Sequence, residues 1–114
     1  MAEISVPLWA EKIISIHTDV TDAVSHVARL KSDRYFVWWE SDRDDFIADG
    51  KHKEKKIIGY TDLYTKIEFD PWCDAFETSI DNAEGVAWKY DSTDYDEDTK
   101  MWRYSWKWEL AMHG

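Results

Sequence analysis

The sequence predicts an α+β fold: an N-terminal helix, a mostly antiparallel sheet, a second helix packed on that sheet, and a C-terminal β-hairpin. Three observations carry this prediction. Within residues 86–110, Trp102, Tyr104, Trp106, Trp108 and Leu110 share one strand face, and Met101, Arg103, Ser105, Lys107 and Glu109 share the other. Two stretches, Val6–Trp9–Ile13–Ile16 and Trp72–Phe76–Ile80–Ala83, repeat apolar residues at three and four, the spacing of a helix with one buried stripe. The order is helix, strand material, helix, hairpin, which puts the helices on one face of the sheet. At 114 residues the chain forms one domain, 1–114, with a single core rich in large rings: eight Trp, six Tyr and four Phe.

The first helix is expected over residues 4–17, with Ser5 as its cap and Pro7 in its first turn, where a missing N–H does no harm. Thr18, Asp19, Thr21 and Asp22 end it, because their side chains compete for backbone hydrogen bonds. Residues 24–30 fit either a second helical piece or a short edge strand. Arg34–Ser41 is a strand with apolar residues on both faces, Tyr35, Val37 and Trp39 against Phe36 and Trp38, as expected of a central strand or one covered on its second side. The polar stretch DRDDFIADGKHKEKK contains an Asp49-Gly50 turn signal and reads as a hairpin connection or an extended arm.

Residues 56–68 form the next strand material. Ile57, Gly59, Thr61, Leu63, Thr65 and Ile67 lie on one face, Ile58, Tyr60, Asp62 and Tyr64 on the other, and Gly59 marks a bulge or a close backbone approach. Asp70 then caps a helix whose first residue is Pro71; Asp74 and Glu77 suit its positive end, and Asn82 and Gly85 supply the stop. In the closing hairpin Val86, Trp88 and Tyr90 alternate with Ala87, Lys89 and Asp91, and the turn is expected to carry Asp91, Asp94, Asp96, Glu97 and Asp98.

The formal net charge of −10 argues against a surface that grips phosphate backbones. It suits a solvated acidic surface, a basic partner, or a wall that repels nucleic acid. No apolar run is long enough to span a membrane, and the N-terminus shows no secretory signal pattern. The lone Cys73 forms no internal disulfide; its place early in a helix could lower its pKa, but a buried or incidental thiol is the simpler reading.

No catalytic constellation emerges. Asp94-x-Asp96-x-Asp98 begins like a calcium loop, but Thr99 stands where the turn glycine belongs and Ser105 where the bidentate Glu belongs. His17, His26, His52 and His113 have no zinc-ligand spacing, and Glu40 with Asp42 is a pairing expected by chance among 24 acids. The chain reads as a non-enzyme without cofactor or metal. The two-faced strand and the last hairpin are the candidates for contact between subunits: Trp38, Trp39, Tyr95 and Trp102, with the lysines Lys51, Lys53, Lys55 and Lys56 either a solvated loop or an arm that meets an acidic patch on a neighbour.

The segments DRYFVWWE, GYTDLYTKIEFDPW and YDEDTKMWRYSWKWEL resemble small tail components of long-tailed bacteriophages and Gram-positive prophages, of the tail terminator family. The resemblance spans residues 6–110 and its motifs are not catalytic. It implies the fold given above and a homohexameric ring in the virion tail, assembled in the bacterial host cytoplasm. That ring would stop growth of the tail tube protein and present a surface to the head-tail connector protein. DNA would pass through its channel without sequence-specific binding, and no membrane is involved. Two other classes fit the residues: a phage-encoded acidic inhibitor that mimics DNA, with a stripe of exposed acids, and a carbohydrate- or ligand-binding module, with exposed coplanar Trp rings.

Overall fold

The computed structural model describes residues 6–48 and 52–113. Its elements in chain order are α1 (Leu8–Thr18), β1 (Val24–His26), β2 (Arg34–Ala48), β3 (His52–Thr65), α2 (Pro71–Asp81), β4 (Val86–Asp96) and β5 (Met101–His113). The strands make one sheet in the order β1-β2-β3-β5-β4. All neighbours are antiparallel except β1 and β2, which run parallel. The fold class is therefore α+β, as expected.

α1 starts at Leu8, four positions after the expected start at residue 4. Pro7 is the N-cap rather than a first-turn residue: it is extended, and its carbonyl accepts from Glu11 N–H at 3.0 Å. A capping carbonyl is all this position must supply, so proline serves there without a side-chain cap. Ser5 lies outside the described residues. After α1, the stretch 24–30 resolves into an edge strand of three residues and an exposed loop. Val27 turns the chain with φ 70 while its N–H holds Trp38 O at 2.9 Å.

β2 continues seven residues past the expected end at Ser41. Its polar second half stays extended because β3 lies opposite it, with Asp44 facing Lys56 and Asp45 facing Lys55. The expected connection thus shrinks to residues 49–51, and the Asp49-Gly50 turn lies outside the described residues. Ser41 is an extra residue in β2, a bulge opposite Gly59 and Ile58. Gly59 is needed there: a Cβ on it would run into the Trp39 carbonyl and the Trp108 ring.

Both helices cover one face of the sheet. Ala10, Ile13 and Ile16 of α1 and Phe76 and Ile80 of α2 meet Phe36, Trp38, Ile57, Leu63, Tyr104, Trp106, Trp108 and Leu110 in one core. α1 and α2 are tied where the Ser79 hydroxyl donates to Ile16 O at 2.7 Å. A buried polar chain crosses this core. Trp108 Nε1–H donates to Thr61 Oγ1 (3.0 Å), Thr61 Oγ1 meets His17 Nε2 (2.8 Å), and His17 Nδ1 meets Ile13 O (2.7 Å). A carbonyl can only accept, so the imidazole proton sits on Nδ1 and Nε2 accepts from the threonine hydroxyl. Burial pushes the His17 pKa down to about 4, which keeps the ring neutral.

Among the described residues, the opposite face of the sheet carries no helix. Tyr35 stacks on Tyr64 (5.4 Å) and Trp39 on Tyr60 (5.6 Å). Val37, Asp62 and Ser105 are buried on that side as well.

The β4–β5 hairpin corrects the expected turn. β4 runs through Asp96, so Asp91, Asp94 and Asp96 are strand residues and the turn is Glu97–Lys100. Asp96 closes it: its carboxylate accepts from Asp98 N–H (2.9 Å) and Thr99 N–H (3.3 Å), and Lys100 takes φ 62.

Candidate functional site

The junction between β3 and α2 organises one end of the molecule. Asp70, 2% exposed, caps α2 by accepting Trp72 N–H at 2.9 Å. It also accepts Arg34 Nε–H (2.8 Å), a second Arg34 N–H, and the Thr65 hydroxyl (2.7 Å). Burial pushes its pKa up, but these hydrogen bonds outweigh burial and hold it below the usual carboxylate value. The Arg34 guanidinium lies over the Trp72 ring at 3.8 Å.

This rigid joint forces out the residue before it. Phe69 has φ 55, donates its N–H to the Tyr104 hydroxyl at 2.9 Å, and is 83% exposed. Such backbone is unfavourable for a bulky side chain, and only a well-braced turn maintains it. Phe69 stands out among the exposed large apolar residues of this end, with Ile67, Tyr90 and Tyr95. The sequence carried a signal for it. A hydrophobic residue just before an N-cap usually packs against the fourth helical residue, and here that residue is Asp74, so Phe69 has no staple partner.

Of the residues singled out from sequence, Tyr95 and Trp102 are brought together here. They face each other across β4 and β5 with ring centroids 4.7 Å apart, and Trp102 stacks on Tyr104 at 6.3 Å. Trp39 is partly buried against Tyr60 on the helix-free face. Trp38 is 2% exposed, edge-on to Trp9 and stacked on His26 at 4.2 Å, so it is a core residue with no surface to offer a neighbour. Lys55 and Lys56 lie at the far end of β3, opposite acids of this same chain, and Lys56 Nζ also meets Glu109 at 3.2 Å. Lys53 pairs with Ile47 in the register, and Lys51 lies outside the described residues.

On the helix-free face, a cleft of about 800 Å³ runs between the Arg29–Asp33 loop and the β4–β5 turn, floored by Tyr35 and Tyr64. Arg29 lies over Tyr64 at 5.0 Å. At the cleft's inner edge Arg103 donates to Asp94 and sits 3.7 Å from Asp62, which accepts from the Ser105 hydroxyl. Burial raises the Asp62 pKa, and Ser105 and Arg103 oppose the rise. In this network the Arg103 guanidinium offsets the charge of Asp62 and Asp94.

Cys73 is held as a thiol. Burial, reinforced by Asp70, Glu77 and Asp74, pushes its pKa up to about 12, so burial first and the carboxylates second outweigh any lowering by the helix end. Among the described residues no three His, Cys, Asp or Glu side chains could hold a metal ion together, and no helix is long and apolar enough to cross a membrane. Three of the eight tryptophans, Trp38, Trp106 and Trp108, are buried, and the other five are partly buried. The acidic stripe of a DNA mimic is broken on β4, by a bulge at Asp91 and by the Arg103–Asp94 pair.

No family model matches the chain, and no curated protein matches it. Among solved structures, its fold is similar to that of a chain in "Virion of native gene transfer agent (GTA) particle". The identity is 13%, the TM-score is 0.54, and the match covers 87% of this chain and 84% of that chain. At this identity the likeness is one of fold.

Proposed function

We propose that this protein is a structural component of a phage-like virion: a tail terminator whose copies close into a hexameric ring on the tail tube and join the tail to the head-side connector. The observation that carries this reading is the braced aromatic end of the sheet. Phe69 is 83% exposed on a turn fixed by Asp70, with Ile67, Tyr90 and Tyr95 also exposed there. An apolar surface held this firmly and left open suits burial against other proteins. The fold likeness to a virion chain agrees with it. The net charge of −10 suits a channel through which DNA passes without sticking. The reading places the protein in the virion tail, assembled in the bacterial host cytoplasm, with no cofactor and no catalytic residue.

The test is negative-stain imaging of purified protein mixed with the tail tube protein of the same particle. Six-fold rings on tube ends, and tubes that stop growing, are expected. Tubes that elongate past bare ends contradict the reading.

A further inference from the structure

The outer face of α2 and the edge strand β4 border a groove that none of the described residues fills. Two hollows share Asp74 and Glu77 in their walls and together make it up. One, about 390 Å³, is bounded by Asp81 and Trp88; the other, about 380 Å³, by Phe69, Tyr90, Tyr104 and Trp106. Rings make the floor and carboxylates make the helix wall, and neither hollow has a Lys, Arg or His in its lining.

Three details make the groove a built feature. Trp106 Nε1–H donates to Glu77 at 2.9 Å and Trp88 Nε1–H donates to Asp81 at 3.1 Å, so two of the carboxylates are oriented by indoles of the floor. Neither these two nor Asp74 has an ion-pair partner among the described residues. β4 is the outermost strand of the sheet, so its outer backbone groups have no strand beside them among the described residues.

We infer that this groove docks an extended segment of a partner protein whose side chains alternate Lys or Arg with small apolar residues, laid alongside β4 with its cations toward α2. The spacing fits. Asp74 and Asp81 are separated by ~10 Å along the helix axis, and same-face residues of a strand repeat every ~7 Å, so two basic side chains of one strand reach the wall. Asp74 and Asp81 are exposed and Glu77 is partly buried, so the wall offers an incoming Lys or Arg three accessible carboxylates of one sign. Phe69 stands at one end of the groove as an apolar stop. The inference deepens the assembly reading by naming the chemistry of a neighbour that the aromatic end would meet.

The test is fluorescence anisotropy of the full chain with a labelled peptide of about nine residues, enough for four same-face positions, in which Lys alternates with Thr and Val. Saturable binding is expected, with none for the peptide in which Glu replaces Lys. Asp74→Asn with Asp81→Asn should weaken binding at least ~10-fold, and Phe69→Ala should weaken it too. Glu97→Gln with Asp98→Gln removes the same charge at the distant turn and should leave affinity unchanged. Thermal melts confirm that each variant folds; Phe69→Ala decides the matter should the double Asn variant not fold. Equal loss in both charge variants, no effect of Phe69→Ala, or no saturable binding overturns the inference. So does a groove already filled by a second copy, seen as a mass above one chain that the peptide lowers. Tube capping that persists without peptide binding sinks this inference alone; peptide binding without tube capping sinks the assembly reading alone.

Discussion

His17 shows how one side chain ties this protein's stability to pH. The ring is buried and neutral, with a pKa of about 4 against 6.5 in the unfolded chain, because burial disfavours the charged form. Between those values the unfolded chain binds the proton and the folded one does not. Stability from this group is therefore full above pH 6.5 and falls as pH drops toward 4, by about 3 kcal/mol. Asp70, with a lowered pKa, loses its contribution only further down, below the usual carboxylate value. Asp62, with a raised pKa, acts in the opposite sense and gains as pH falls. Urea unfolding at pH 7 and pH 4.5 should show a smaller difference for His17→Gln than for the parent; equal differences would refute the assignment. Phe69 makes a contrasting case. Its side chain is 83% exposed and its backbone is left-handed, so Phe69→Gly should stay within about 1 kcal/mol of the parent in stability. The same change should abolish occupancy of tail-tube ends. A large loss of stability would mean that Phe69 serves the fold instead. The role of His17 does not follow from local spacing, since it depends on Thr61, 44 residues away, whereas the exposure of Phe69 was signalled locally by its missing staple partner.

At the scale of the element, what was legible was what local chemistry determines. Asp70-Pro71 announced the start of α2 because a cap and a proline act within one turn, and the alternation of β5 announced its buried face because period two is a property of the strand itself. β1 stayed open between a helical piece and a short edge strand, because three residues cannot display a period and a parallel neighbour lies beyond any hairpin rule. The polar half of β2 was read as a hairpin connection or an extended arm, because its strand form depends on β3 lying opposite it. Two substitutions test the joints that were found. Asp70→Ala removes the cap and leaves Arg34 without its carboxylate, and it should cost ~3–5 kcal/mol in urea unfolding. Gly59→Ala sets a methyl against the Trp39 carbonyl and the Trp108 ring and should cost about 1–3 kcal/mol, or more if β2 cannot give way. Wild-type midpoints for either would show that the joint is not strained as described.

Across the whole molecule, one face of the sheet is sealed by two helices and the aromatic end is open. The sealed side is stability: Trp106 is fully buried against Phe76, and Trp106→Ala should cost ~3–5 kcal/mol. The open side is where function is proposed, and it is there that sequence reading was least complete. Tyr95 and Trp102, named from sequence, meet across β4 and β5; Trp38, named as a subunit contact, is buried in the core; Phe69 carried a local signal in its missing staple partner; and the α2–β4 groove joins segments distant in sequence. Particle mass by light scattering, with and without tail-tube fragments, tests the central claim most directly. The proposed terminator should add six copies of the 13.6 kDa chain to each tube end. A chain that stays at the mass of one copy in both conditions would contradict the account.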